Sequence, residues 1–133
     1  GGDFAQRAGE ALSAVDLRVV QTFSFVGNRS ARARAAAAKY HAMFGTRSEE
    51  DIFSAAGTAQ AHDAVWLLAL AIQKAKSTER ARVRDALEHL GPYEGLVRTY
   101  RPAFTPSRHE ALSPSDFRMV TFNPRGVLVP AQP

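Results

Sequence analysis

The 133-residue chain predicts an α/β fold, with helices packed on a sheet too small to cover them and a β-hairpin near the C-terminus. Three features carry that expectation. Apolar residues recur at helical spacing in several segments, β-branched and aromatic runs read as strands, and Asn123-Pro124-Arg125-Gly126 sets a turn between two such runs.

Phe4, Ala8, Ala11, Leu12 and Val15 make one helical stripe over residues 4–15, with Asp3 placed to cap it. Leu17 to Phe25 reads as a strand, and Gly27-Asn28 as a turn. Ser30 then caps a helix through Phe44, whose stripe is Ala33, Ala37, Tyr40, His41 and Phe44, and Gly45 supplies the left-handed stop. Ser48-Glu49-Glu50-Asp51 resembles a capping signal, leading into either a helix or a short turn before Gly57. From Thr58 to Ala75 the residues are apolar on nearly every side, so this helix expects cover from neighbouring layers. Ser77 or Thr78 caps the next helix, with Val83, Ala86, Leu87 and Leu90 inward and Arg80, Arg82 and Arg84 outward or sideways, before Gly91-Pro92 ends it. Gly95 to Tyr100 reads as a strand, Pro102, Pro106 and Pro114 mark a loop, and Phe117 to Phe122 pairs with Val127 to Val129. Residues 130–133 are expected to fray.

About three strands cannot cover four helices, so apolar surface is expected to stay exposed or to pair with another chain. The chain opens on Gly1 without an initiator Met or a basic and apolar leader, and reads as a piece of something longer. Its longest apolar run, Ala64 to Ile72, is less than half the length of about 20 residues that a bilayer-spanning helix needs.

Composition narrows the chemistry. Without cysteine there is no disulfide framework, thiolate metal site or cysteine nucleophile. The net charge of +4 comes from arginine, for lysine contributes only Lys39, Lys74 and Lys76. The arginines are scattered, which reads as composition and not as a nucleic-acid face. His41, His62, His89 and His109 show no metal-binding spacing. His62 and Asp63 are neighbours, but adjacent helical residues diverge by about 100°, so His62 reads as a packing residue. Glu49, Glu50 and Asp51 read as a solvated first turn. Gly1-Gly2 is no phosphate loop; Gly2-Asp3 ahead of a helix offers backbone N–H groups to an anion or forms a simple turn. The small residues of Ala55-Ala56-Gly57-Thr58-Ala59-Gln60 suit equally a ligand carboxylate at a helix start or close helix packing. The residues point to no catalytic constellation, cofactor or metal.

These residues also carry a resemblance. Ala61-His62-Asp63-Ala64-Val65 followed by Leu67-Leu68-Ala69-Leu70-Ala71-Ile72 resembles the "AYDAV...LA.AI" helix of type I periplasmic solute-binding proteins, the branched-chain amino-acid-binding family of ABC importers. Val19-Val20-Gln21-Thr22 is similar to the family's strand leading into the hinge, and residues 38–45 to its "Y...fG" helix end. Val83 to Leu87 is similar to "vrdAL", Tyr93-Glu94-Gly95 to "y.G", and residues 123–129 to the closing "..dG.lv" hairpin. The resemblance spans nearly the whole chain and only the C-terminal third or so of the family.

It implies an incomplete fragment of a two-lobed receptor. Residues 1–24 would end the second lobe, 25–116 complete the first, and the hairpin 117–133 cross back over the hinge. Gly57, with Ala56 and Thr58 beside it, falls at the family's pocket-facing position, where a small residue implies a roomier pocket. His62 replaces the family's usual Tyr, Gly2 follows a loop that meets ligand, and Phe25 either lines or packs the cleft. The implied protein is no enzyme. It is a periplasmic receptor that closes over an amino acid or small carboxylate and delivers it to the membrane subunits of an ABC importer, without a cofactor; as an isolated fragment it is expected to bind poorly or to self-associate. The alternative is a basic helical module binding nucleic acid through Arg29, Arg32 and Arg34, and a hydrolase reading has only His62 and nearby acids behind it.

Overall fold

A computed structural model describes residues 4–131 and divides into two compact units, which part between Thr58 and Ala59 and again between Asp116 and Phe117. The predicted α/β class holds, with nine regular elements among the described residues.

The first unit contains α1 (Phe4–Ala8), β1 (Arg18–Gln21), α2 (Ala31–Phe44), the opening of α3 (Ala55–Ala75), β4 (Arg118–Phe122) and β5 (Leu128–Pro130). Its sheet is antiparallel in the order β1-β4-β5, with Val19 opposite Val120 and Thr121 opposite Val129. The expected C-terminal hairpin is present: Asn123 N–H donates to the Val127 carbonyl at 2.9 Å, and Gly126 takes φ +74°. Phe4 lies 5.7 Å from Phe122, ring to ring, so α1 rests on this hairpin. Gly126 is needed there twice over, for its positive φ and because a Cβ would come within 2.7 Å of the Ala5 Cβ.

Two expectations fail in this unit. The helix predicted over residues 4–15 is α-helical only to Ala8, because Gly9 takes φ +53° and the chain continues to Ala14 as a 3₁₀ turn. The strand predicted over 17–25 stops at Gln21, opposite Arg118, where β4 begins and pairing runs out. Phe23 and Phe25 then pack edge to face at 4.8 Å, and Asn28 N–H closes a turn onto the Phe25 carbonyl at 3.0 Å. The proposed cap Asp3, and residues 132–133 of the expected fraying end, lie outside the described residues.

α2 forms as predicted. The Ser30 hydroxyl accepts from Ala33 N–H at 3.1 Å, and Gly45 closes the helix at φ 68°. Ala33 and Ala37 are buried; Phe44, predicted on the same stripe, is exposed. The Ser48 signal resolves into a single 3₁₀ turn, Glu49–Asp51, held by a capping box.

The second unit holds the rest of α3, α4 (Arg80–Glu88), β2 (Tyr93–Glu94) and β3 (Thr99–Tyr100). Leu67 and Ala71 of α3 form its core with Val83, Ala86, Leu90, Tyr100 and Ala103. α3 is covered along one row, Ala59, Asp63, Leu67 and Ala71, while Val65 stays 66% and Trp66 50% exposed. α4 points Arg80, Arg82 and Arg84 to solvent as expected. Its cap, however, is Glu79 and not Ser77 or Thr78: both Glu79 carboxylate oxygens accept backbone N–H groups, from Ala81 at 3.1 Å and Arg82 at 3.0 Å. The Ser77 hydroxyl accepts from Glu79 N–H instead. The predicted strand 95–100 is a hairpin: residues 95–98 turn between β2 and β3, and Gly95 N–H donates to the Arg98 carbonyl at 2.9 Å. The proline-marked stretch is a loop, tied down by Arg98, which bonds the Ser113 hydroxyl at 2.9 Å and pairs with Asp116. Burial opposes the charge on Asp116, but donors from Ser113 and the Arg98 guanidinium outweigh it and hold the carboxyl below its usual range.

Candidate functional site

α3 begins three residues before Thr58, and this decides what its start can offer. Ser54 adopts φ +48°, Thr58 N–H donates to the Ser54 carbonyl at 2.8 Å, and the Thr58 hydroxyl turns back onto the Phe53 carbonyl at 2.8 Å. Ala55, Ala56 and Gly57 therefore make the first turn, where backbone N–H groups have no acceptor four residues earlier. Within the first unit, Ala56 lines a cavity of about 230 Å³ together with Gln21, Ser24, Phe53, Val120 and Phe122.

The rim of this cavity is acidic but largely committed. Arg125 pairs with Glu50. Asp51 accepts the backbone N–H groups of Arg47 at 3.1 Å and Ser48 at 2.9 Å, and these bonds hold its carboxyl below the usual range. The arrangement suits a small solute with apolar body and few polar groups, met by Gln21, Ser24 and the first turn of α3.

Of the residues singled out from sequence, Ala56 lines this cavity, and Gly57 and Thr58 share its helical turn. A Cβ on Gly57 would stand 2.8 Å from the Ser54 hydroxyl, so the small residue is explained by local packing as well. Thr58 spends its hydroxyl on Phe53. Phe25 is 2% exposed and packs on Phe23. Gly2 lies outside the described residues. His62 belongs to the second unit.

There His62 does face its neighbour, contrary to the helical-wheel argument: Nδ1 lies 3.0 Å from Asp63 Oδ1. The Cα–Cβ bonds diverge, but the long imidazole swings back to the carboxylate. Asp63 is 1% exposed and is the residue the sequence reasoning missed. Its Oδ1 also accepts Leu96 N–H at 2.6 Å, while Oδ2 accepts Val97 N–H at 2.9 Å and the Tyr100 hydroxyl at 3.0 Å. Gly95 permits this approach, for a Cβ there would fall 2.3 Å from Asp63 Oδ2 and 2.7 Å from the Tyr100 ring. Burial, then the adjacent carboxylate, pushes the Tyr100 hydroxyl well above its ordinary pKa of 10.0. The usable signal was an Asp inside an otherwise apolar helical segment, paired with a Gly after Tyr93-Glu94. Among the described residues no group of three His, Asp or Glu side chains could hold a metal ion, and no helix is long and apolar enough to cross a membrane.

The fold is α/β, with helices packed on a small sheet, and is similar to part of a type 1 periplasmic binding protein. Among solved structures the chain is similar to the periplasmic binding protein type 1 from Bordetella pertussis Tohama I, with a TM-score of 0.76 and 23% identity over 96% of this chain. It spans 36% of that neighbour's length. No family model and no curated protein matches the chain.

Proposed function

We propose that the chain is part of a periplasmic solute receptor that serves an ABC importer and binds an amino acid or related small carboxylate without chemical conversion. The observation that carries the reading is the fold likeness over 96% of the chain, joined to a solute-sized cavity at the start of α3. Ala56, Gly57 and Thr58 are the proposed ligand-facing residues of that start, and closure of two lobes is the proposed means of capture. On this reading residues 1–24 belong to the second lobe, 25–116 to the first and 117–133 to the hairpin that returns over the hinge. A nucleic-acid role for Arg29, Arg32 and Arg34 draws no support from this fold, and these residues sit at the start of α2, where the helix dipole disfavours cations.

A thermal-shift screen of the full-length protein against amino acids and small aliphatic and aromatic carboxylates tests the proposal. A ligand at 100 times its Kd adds about 2.7 kcal/mol to the native state, enough for a rise of several degrees. No shift across the panel would remove the solute class.

A further inference from the structure

We infer that Glu49 is a specificity-determining residue of the cavity at the start of α3, and that this cavity takes solutes carrying a cationic amine and turns away carboxylates that lack one. The inference rests on the reading of this cavity as the solute site, and it narrows the solute class by charge. Glu49, Glu50 and Asp51 all line the cavity, and among its described lining residues there is no Lys, Arg or His. The three acids are held in place: a capping box fixes the 3₁₀ turn that carries them, and Ile52, 5% exposed, anchors its end.

The three carboxylates are not equivalent. Arg125, from the hairpin turn, pairs with Glu50 and neutralises it. Asp51 keeps its charge, because the Arg47 and Ser48 N–H groups that it accepts favour the ionised form. Glu49 is exposed, and among the described residues its carboxylate has no hydrogen-bond or ion-pair partner. Asp51 and Glu49 thus leave two full negative charges on the rim. The opposing field is the first turn of α3, where Ala55 and Ala56 also line the cavity. A helix N-terminus is worth about half a positive charge, so the carboxylates prevail. A bare carboxylate entering the cavity meets like charge. An ammonium instead donates to Glu49, whose oxygens are uncommitted, while Phe53, Val120 and Phe122 take the apolar body.

Calorimetry on the full-length protein near neutral pH tests this with sets of compounds that share one apolar body and differ only in their charged groups. The sets are leucine, 3-methylbutylamine and 4-methylpentanoate; phenylalanine, 2-phenylethylamine and 3-phenylpropionate; and alanine, ethylamine and propionate. Within a set that binds, each amine-bearing member should exceed the simple carboxylate by about tenfold or more. Glu49→Gln should cut that preference by about threefold or more, while Glu110→Gln, at an exposed acid of the second unit outside the lining, should leave it unchanged. A carboxylate that matches its amine-bearing partners, or a preference that Glu49→Gln leaves intact, would overturn the inference while the receptor reading survives. No binding in any set would count against the receptor reading and take the charge selectivity with it.

Discussion

Replacing Asp63 by asparagine preserves shape and removes one acceptor oxygen, and the four contacts on the carboxylate respond unequally. The Tyr100 hydroxyl can rotate and the His62 ring can exchange tautomers, so either could come to terms with a side-chain NH₂. The backbone N–H groups of Leu96 and Val97 cannot, and they sit on different oxygens. Whichever way the amide is placed, one buried N–H faces an NH₂. The loss is one hydrogen bond to a charged acceptor, about 1.5–3 kcal/mol, with an unmet buried donor adding about 1–3 kcal/mol before relaxation. Some relaxation of the 95–98 turn is expected, so about 3 kcal/mol is the working figure, a large share of the 5–15 kcal/mol typical of a whole domain. Urea unfolding followed by Trp66 fluorescence and far-ultraviolet circular dichroism measures it, with a midpoint lower by about 1 M or more. Tyr100→Phe should fall between, at about 1–2 kcal/mol, because it removes one donor and leaves the carboxylate otherwise served. His62→Ala should cost under about 1 kcal/mol, since water can reach the half-buried imidazole's place. Asp63→Asn within about 0.5 kcal/mol of the parent, or His62→Ala as damaging as Asp63→Asn, would refute the view that the carboxylate exists to hold the turn.

Gly95→Ala should destabilise by about 3 kcal/mol or more by forcing Asp63 and Tyr100 aside, whereas Gly91→Ala, whose Cβ would meet nothing within 4 Å, should stay within about 0.5 kcal/mol; equal urea midpoints for the two would contradict the close approach. Because the folded Tyr100 pKa is raised above 10.0, its contribution is fully present below that value and is lost as pH climbs through the folded pKa; phenolate absorbance should show one of the three tyrosines titrating last, and Tyr100→Phe should remove that step together with part of the alkaline destabilisation. The exposed Val65 and Trp66 on α3 should drive concentration-dependent association in sedimentation velocity, reduced in Trp66→Lys; a parent monomeric at high concentration would show that this face is tolerated bare.

How far the fold was legible depends on the range of the interactions that set each element. α2 was readable from end to end because its signals are local: Ser30 caps it, alanines fill its inner row and Gly45 stops it. The hairpin β4-β5 was equally plain, with Asn123 and Gly126 doing the turn chemistry within five residues. Local reading failed where a residue's backbone state overrode its side-chain pattern. Gly9 sits inside a sound apolar stripe and still breaks the helix, and Ser54 takes a left-handed conformation that lets α3 start at Ala55. Glu79 was passed over because short side chains are the usual helix caps, yet its longer carboxylate reaches two N–H groups at once. Residues 95–98 look like strand by composition, and only a partner more than thirty positions away makes them a turn.

That partner is also why the site was half legible. The small residues at the start of α3 were visible as a cluster, and Ala56 does line a cavity. Asp63 looked like one polar position in an oily helix, to be dismissed with His62 beside it, because helical geometry sets Cβ directions and says little about where a long side chain ends. Burying a carboxylate is costly without donors, so an Asp inside an apolar run is itself a statement that donors must arrive from elsewhere in the chain. Here the 95–98 turn delivers the backbone N–H groups of Leu96 and Val97 side by side to that carboxylate, and the Gly that opens it at 95 completes the pair. One buried carboxylate thus ties α3 to the hairpin of the second unit, through the Leu96 and Val97 N–H groups and the Tyr100 hydroxyl.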